Sequence, residues 1–408
     1  MGKTWLMKRF AQTCYEDFLY ISFDDDARLA GIFEPDLNPR RILGELEILY
    51  QKKIKAETTL LIFDEIQELP AALKSLKYFN EEAPEYQIVC AGSLLGIALH
   101  PGTSFPVGKV EFMDLYPLSF YEFLGAMNQE GCVRVLDDGD PAKLRLFQHE
   151  YINMMKKYFF VGGMPEAVAA FAETGSFAQV RQIQQNLIDM YDQDFSKHAP
   201  AYQVPRIRML WNSIPRQLAR ENKKFVYGTV SKSARSREFE TAMLWLLDTG
   251  ILRRVNRVQD VKHPLKSYED RGAFKLYLGD IGLLSRMSGL EKDILFERDR
   301  LFVEFKGALT EQFVLQELLA CTAYTPFYWS NDNAHSEVDF LVQAGKNIVP
   351  IEVKAGINLR AKSLQVYIDK FNPARAVRSS LADYKAGERI LDLPLYALCL
   401  LPRLLAEE

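Results

Sequence analysis

The chain has 408 residues, which is enough for two or three domains because single domains average about 150 residues. Hydrophobic residues make up 48% of it and charged residues 25%, a balance that excludes an intrinsically disordered chain. The net charge of −4 excludes a general attraction to nucleic acid, so any such binding requires a local basic patch.

Membrane, secreted and zinc proteins are disfavoured by local patterns. The longest apolar runs have the length of strands and fall well below the roughly 20 residues that cross a bilayer. The first residues do not follow the order of a secretory signal, and the five cysteines are scattered. They never combine with the five histidines at zinc-ligand spacing. We therefore expect a cytoplasmic protein with no membrane association and no structural zinc.

Buried strands alternate with amphipathic helices in the first part of the chain. This pattern predicts a parallel sheet covered by helices, in an α/β domain over residues 1–130. The predicted strands are Phe18–Phe23, Thr59–Phe63 and Gln87–Ala91.

The rest of the chain divides into three further predicted regions. Residues 131–215 are rich in helix formers and form a helical connecting region with a turn at Gly162–Pro165. Residues 216–300 contain a predicted strand at Phe225–Tyr227 and a helix that Gly250 ends. Residues 301–408 begin with a helix, continue through strands and are expected to be a separate α/β unit; the strands are predicted at Phe327–Trp329, Val338–Val342 and Ile348–Val353.

Gly2-Lys3-Thr4 runs directly into a helical pattern, and it matches the second half of the phosphate-binding loop G-x-x-x-x-G-K-[ST]. In that loop Gly2 lets the backbone approach a phosphate, Lys3 neutralises phosphate oxygens, and the Thr4 hydroxyl binds Mg²⁺. The first amides of a helix also attract anions. A solvated terminus is the competing interpretation of so short a motif.

A second motif makes the nucleotide interpretation stronger. The apolar run from Thr59 to Phe63 ends in Asp64 and Glu65, the form called Walker B. Such a strand delivers one carboxylate to the metal and the next to the attacking water. We therefore predict ATP and Mg²⁺ as cofactors, Asp64 as a metal ligand together with Thr4, and Glu65 as the catalytic carboxylate. An ordinary turn after a strand is the alternative.

Two details qualify the predicted pocket. Ser93 follows the third strand and is a candidate sensor of the γ-phosphate, although a turn-forming Gly-Ser explains it equally well. Only Met1 precedes Gly2, so the front half of the loop and the strand before it are missing from this sequence. We expect either a start codon further upstream or a decayed copy with impaired turnover.

Eight short motifs follow one another along the chain: Gly2–Leu6, Phe63–Gln67, Ala91–Leu95, Tyr116–Phe120, Gly162–Glu166, Tyr277–Leu284, Glu337–Leu341 and Ile351–Lys354. Taken in this order, they resemble the motifs of archaeal-like AAA-type P-loop ATPases that carry a C-terminal domain called DUF4143. The resemblance covers nearly the whole chain and implies ATP binding and hydrolysis, a winged-helix middle region and a nuclease-like C-terminal fold, but names no substrate.

A basic segment lies in the middle of the chain. Between Arg206 and Arg237 nine basic residues face one acid, Glu221, so this segment is a candidate contact for DNA phosphates. The helix that follows exposes Glu238, Glu240 and Asp248, which would repel a DNA backbone. A solvated face and a docking surface for another protein therefore remain open.

Carboxylates on neighbouring predicted strands define a second candidate site. Asp339 lies on one strand, while Glu352 and Lys354 share a face at the end of the next. With Glu311 from the preceding helix they look like the PD-(D/E)XK nuclease arrangement, in which the acids bind Mg²⁺. A structural ion network is the alternative.

Three functions follow from these patterns. The leading one is an ATPase that couples Mg²⁺–ATP to a C-terminal region acting on DNA or on a protein. The second is a DNA-binding module or nuclease with a vestigial ATPase domain, and the third is a non-catalytic interaction protein.

Overall fold

The computed structural model describes residues 2–24, 26–92, 108–220, 223–232, 234–293, 306–331, 336–356 and 361–406. They form two compact units, unit 1 (Met1–Leu115) and unit 2 (Tyr116–Glu408). The first boundary therefore lies near residue 115, ahead of the predicted division after residue 130.

Unit 1 contains a three-stranded parallel sheet, as predicted. Its order is β1-β2-β3, with Leu19 paired to Leu61 and Leu61 paired to Ile88. The described strands are β1 (Asp17–Ser22), β2 (Thr59–Asp64) and β3 (Ile88–Cys90). The described helices are α1 (Lys3–Cys14), α2 (Arg28–Phe33), α3 (Pro39–Tyr50) and α4 (Pro70–Glu82), with a 3₁₀ turn at Ile66–Glu68.

Helices cover both faces of this sheet. On one face Met7 and Ala11 of α1 pack against Leu60 and Ile62. On the other face the apolar sides of α2, α3 and α4 pack around Phe63. Every residue of β2 is buried as a result, which explains why its sequence is apolar without alternation. The sandwich holds the carboxyl end of β2 in a fixed position.

Unit 2 begins with a helical region. Its helices up to the second sheet are α5 (Phe120–Ala126), α6 (Glu130–Asp138), α7 (Pro141–Leu146), α8 (Gln148–Val161), α9 (Pro165–Thr174), α10 (Phe177–His198), α11 (Val204–Leu218), α12 (Tyr227–Val230) and α13 (Ser236–Asp248). The strand predicted at Phe225–Tyr227 is wrong. Phe225 N donates to Phe274 O at 2.8 Å, but the chain turns into α12 at Tyr227.

The described strands of unit 2 form one mixed sheet of eight strands. Its order is β10-β11-β9-β8-β7-β6-β4-β5. The strands are β4 (Leu252–Val258), β5 (Glu269–Leu278), β6 (Phe327–Ser330), β7 (Glu337–Ala344), β8 (Asn347–Val353), β9 (Ala376–Ser380), β10 (Lys385–Ala386) and β11 (Ile390–Pro394). Later helices are α14 (Ile281–Met287), α15 (Lys306–Cys321), α16 (Lys362–Phe371) and α17 (Leu401–Ala406), with 3₁₀ turns at Leu265–Tyr268 and Leu395–Leu400.

This sheet crosses the predicted division after residue 300. β4, from the region before that division, pairs in parallel with β6 from the region after it, through Arg257–Tyr328 and Val258–Trp329. The C-terminal strands are therefore not a separate compact unit, because their sheet is completed by β4 and β5. The predicted division after residue 215 also lies inside unit 2, within α11.

Close backbone contacts around Asp280 fix the middle of unit 2. The buried Asp280 carboxylate accepts hydrogen bonds from Gly163 N at 2.7 Å and from Leu283 N at 2.9 Å. A Cβ atom on Gly163 would lie 2.2 Å from Leu118 O, so glycine is needed there for space. Packing between Gly163 and Asp280 thus explains the motifs Gly162–Glu166 and Tyr277–Leu284.

Candidate functional sites

The amino end of α1 and the carboxyl end of β2 meet at one point. The Thr4 hydroxyl donates to Asp64 Oδ2 at 2.6 Å, and the Tyr20 hydroxyl donates to the same oxygen at 3.0 Å. The Lys3 ammonium group donates to Gly92 O at 2.6 Å, just beyond the end of β3. The structure therefore brings Lys3, Thr4 and Asp64 together, as the sequence predicts. Ser93 lies outside the described residues.

Local geometry prepares the amino end of α1 for an anion. Gly2 adopts φ 73°, in the left-handed region that favours glycine, and its carbonyl accepts from Leu6 N to start the helix. Within the described residues no side chain caps this helix. Its first-turn amides, which lack partners inside the helix, are the groups that bind phosphate at other helix ends.

Glu65 lies at a sharp bend immediately after β2. Its backbone φ of 50° is left-handed, a conformation that costs a non-glycine residue free energy and is enriched at functional sites. The Gln67 amide donates to Glu65 Oε2 at 2.5 Å and holds the carboxylate in place. Asp64 is buried, whereas Glu65 is partly exposed. The two adjacent acids therefore occupy different environments.

The Lys3 ammonium group lies near the two carboxylates of this site. Burial lowers the pKa of the Lys3 ammonium group, while the negative charges of Glu65 and Asp64 oppose that shift. A half-buried lysine whose hydrogen-bond partner is a neutral carbonyl is stabilised if a phosphate oxygen replaces that carbonyl, because the new hydrogen bond joins opposite charges. The Thr4 hydroxyl and the Asp64 carboxylate are the kinds of oxygen group that bind Mg²⁺.

The second predicted site is also assembled, at the ends of β7 and β8. Asp339 Oδ2 accepts from Val353 N at 2.8 Å, and the Lys354 ammonium group lies 2.7 Å from Glu352 Oε1. Glu311 on α15 completes the set through a hydrogen bond with Asp339. The structure thus brings Glu311, Asp339, Glu352 and Lys354 into one group, the carboxylate cluster.

Two lysines that the sequence analysis did not single out enter this cluster. Lys223 forms an ion pair with Glu311 Oε1. Lys275 on β5 is completely buried, 3.5 Å from Glu311 Oε2 and 2.5 Å from Glu337 Oε1. The Tyr277 hydroxyl also donates to Glu311, at 3.1 Å. A lysine in the middle of the apolar run from Ala273 to Leu278 was the available signal, because such a residue needs a buried acidic partner.

The carboxyl groups of the cluster shift each other's pKa values. Burial raises the pKa of Asp339 well above its usual range, and the nearby acids Glu311 and Glu352 raise it further. Burial acts in the same direction on Glu311, but Lys223 and Lys275 outweigh it and lower its pKa to about 2. The pKa values of the two neighbouring carboxyl groups are therefore shifted in opposite directions.

The described residues lack two features that would indicate other functions. Among the described residues, no group of three or more His, Cys, Asp or Glu side chains is arranged to hold a metal ion. In the same part of the chain, no helix has both the length and the apolar character needed to span a bilayer.

Three consecutive segments of the chain match known domain families. Residues 1–124 match the AAA domain family and residues 306–398 match DUF4143, a domain of unknown function. The chain therefore carries an AAA domain at its amino end and a DUF4143 domain at its carboxyl end. Between them, residues 152–294 of this AAA-domain protein match a further domain of unknown function, DUF8612. The AAA match supports ATP binding by unit 1.

Comparisons with individual proteins add little. No curated protein is significantly similar in sequence to this AAA-domain protein. Among solved structures it is similar to the Walker-type ATPase PABY2304 of Pyrococcus abyssi, with 13% identity and a TM-score of 0.41. That alignment covers 70% of this chain and 87% of the Pyrococcus chain.

Proposed function

We propose that the protein binds Mg²⁺–ATP between the amino end of α1 and the carboxyl end of β2 and hydrolyses it. The observation that carries this proposal is the 2.6 Å hydrogen bond from the Thr4 hydroxyl to Asp64 Oδ2. It places next to each other the hydroxyl and the carboxylate that the two sequence motifs assign to one metal ion. The donor set therefore fits Mg²⁺.

Each residue has a physical task in this proposal. Gly2 and the first amides of α1 receive the phosphates, and Lys3 exchanges the Gly92 carbonyl for a phosphate oxygen. Thr4 and Asp64 would hold a Mg²⁺ ion, which would neutralise charge on the phosphate oxygens. Glu65, fixed by Gln67, orients the attacking water and accepts its proton. We retain Ser93 as the proposed γ-phosphate sensor.

Calorimetric titration of Mg²⁺–ATP into the full chain tests the binding step. Lys3→Ala removes one charge-assisted hydrogen bond, which is worth about 1.5–3 kcal/mol, so we expect roughly a tenfold to hundredfold weaker affinity. Arg9→Ala is the matched control, since it removes an exposed charge from the same helix. Equal ATP affinity in the wild type and Lys3→Ala would refute the proposal.

The second candidate function is DNA binding by unit 2 in response to ATP. It is favoured by the order of elements α11, α12, α13 and the antiparallel pair β4–β5, which is that of a winged helix. Lys232, Arg235 and Arg237 are exposed at the amino end of α13. The exposed acids Glu238 and Glu240 on the same helix oppose this function.

The basic segment has fewer charges available for DNA than the sequence suggests. Arg208 pairs with Asp192 at 2.6 Å, and Lys223 pairs with Glu311. Duplex DNA titrated at several salt concentrations tests the candidate, because Arg237→Ala should reduce the salt dependence by about one phosphate contact. Salt-independent binding, or none, would leave a protein partner as the alternative.

Nuclease activity is the remaining alternative, and it would use the carboxylate cluster. Plasmid DNA incubated with the protein and Mg²⁺ or Mn²⁺ provides the assay, with Asp339→Ala as the variant. Cleavage that Asp339→Ala leaves unchanged would exclude this cluster as the source. The present arrangement does not favour nuclease activity, because Lys223 and Lys275 pair with Glu311, one of the acids that would bind the metal.

A further inference from the structure

The carboxylate cluster does not fit a divalent metal in its present arrangement. The acids that the nuclease-like pattern assigns to the metal already have partners. Glu311 contacts Lys223, Lys275 and the Tyr277 hydroxyl, and Asp339 contacts Glu311 and Val353 N. A divalent ion would have to share these oxygens with ammonium groups only a few ångströms away, where like charges repel strongly.

Of the two lysines that pair with Glu311, Lys223 is the easier to displace. Lys275 lies within β5, is completely buried and has a second acidic partner in Glu337. Lys223 lies between α11 and α12, outside any helix or strand, and its side chain is 12% exposed. It reaches Glu311 past Gly307, where an added Cβ atom would come within 3.2 Å of its ammonium nitrogen.

One oxygen in the cluster has no hydrogen-bond partner among the residues that the structure describes. Glu352 is 3% exposed and gives Oε1 to Lys354, while Oε2 is buried without a hydrogen bond. A buried carboxylate oxygen without a partner is costly, which suggests that this side chain retains the capacity to bind another group. The cluster thus combines a carboxylate oxygen without a partner, Glu352 Oε2, with an ammonium group, that of Lys223, in the position where a metal ion would contact Glu311.

We infer that Lys223 is an internal cation that closes the carboxylate cluster to divalent metal, and that the cluster accepts a metal ion only when Lys223 leaves Glu311. This inference does not depend on the ATP site. It gives the basic segment a second property, because a phosphate group that attracted Lys223 would compete with Glu311 for the same ammonium group.

Mn²⁺ binding to the full chain without nucleotide, measured by electron paramagnetic resonance, tests the inference. Lys223→Gln removes the charge but keeps the length of the side chain. We expect this variant to bind Mn²⁺ at least about tenfold more tightly than the wild type, the effect of removing one neighbouring like charge. Adding Asp339→Asn to Lys223→Gln should abolish the gain, which assigns it to the cluster.

Lys232→Gln is the matched control, because it removes an exposed charge from the same basic segment. It should bind Mn²⁺ as the wild type does. The inference would be overturned if the wild type already had an Asp339-dependent Mn²⁺ site as tight as that of Lys223→Gln. It would equally be overturned if folded Lys223→Gln gained no such site.

A measurement on the wild type alone covers the case in which Lys223→Gln does not fold. Reductive methylation followed by mass spectrometry reports how accessible each lysine is. The ion pair with Glu311 should protect Lys223, whereas the exposed Lys232 should react readily. Equal reaction of the two lysines would contradict the closed cluster.

Discussion

The protein contains two groups of acids and lysines at the ends of buried strands, and they differ in what the lysines contact. In unit 1 the Lys3 ammonium group donates to the Gly92 carbonyl, and Asp64 accepts from two hydroxyl groups. In unit 2 Lys223 and Lys275 pair directly with Glu311. The first group keeps charges that a ligand can use, whereas the second has neutralised its own charges.

The difference shows that matching residue types do not define a site. Both groups contain carboxylates and a lysine in the pattern expected for metal-dependent chemistry on phosphates. A lysine bonded to a neutral carbonyl can exchange that partner for a phosphate at little cost. Lys275, which is completely buried between two acids, cannot leave without stranding their charges. The partners of the lysines therefore distinguish a site that is open to a ligand from one that its own ammonium groups close.

Turnover should show the largest contrast between the two groups. Glu65→Gln removes the proposed base and should lower ATP-dependent phosphate release by roughly a hundredfold or more. Glu352→Gln, in the carboxylate cluster, should leave phosphate release unchanged. The exposed Glu68 provides a matched control as Glu68→Gln. If Glu65→Gln released phosphate at the wild-type rate, the assignment of Glu65 would fail.

Stability should show the opposite contrast. Lys275→Met removes the buried ammonium group that Glu311 and Glu337 share and should lower the free energy of unfolding by about 3–5 kcal/mol. Lys3→Met should change it by less than about 1 kcal/mol, because Lys3 loses only a bond to a carbonyl. Urea denaturation followed by circular dichroism measures both. Similar losses in the two variants would remove the distinction between the groups.

A buried carboxyl group beside α5 predicts how stability depends on pH. Burial raises the pKa of Glu317 to about 8 from its ordinary value of 4.5, although Phe120 N donates to it at 2.7 Å. The folded state therefore holds a proton that the unfolded state releases, and stability should fall as pH rises from about 4.5 to 8. Thermal unfolding across that range measures this, and Glu317→Gln should flatten the profile. An unchanged profile in that variant would contradict the assignment.

The smallest effect is expected at the surface. Lys143 and Asp138 form a 2.7 Å ion pair in which both side chains are about half exposed. Lys143→Ala should lower the free energy of unfolding by less than about 1 kcal/mol, since water and salt screen such pairs. The same denaturation experiment provides the value. If Lys143→Ala lowered the free energy of unfolding as much as Lys275→Met does, burial would not explain why the ion pairs of the cluster stabilise the fold.

Sequence patterns predicted the geometry of the proposed nucleotide site better than that of the cluster. The strands of unit 1, the start of α1 and the meeting of Thr4 with Asp64 follow from short motifs and apolar runs. The pairing of Glu311 with Lys223 does not follow from such local patterns, because the two residues are 88 positions apart in sequence and only the tertiary fold joins them. The pairing of β4 with β6 was missed for the same reason, since the register of distant strands leaves no local signal.

The measurement that tests the central claim most directly is a double-mutant cycle of Thr4→Val and Asp64→Asn on Mg²⁺–ATP affinity, by calorimetry with and without Mg²⁺. If both side chains hold one metal ion, either substitution alone should remove most of the increase in ATP affinity that Mg²⁺ confers. The double variant should then bind no more weakly than the worse single variant. Additive losses, or losses that persist without Mg²⁺, would contradict a shared Mg²⁺–ATP site between α1 and β2.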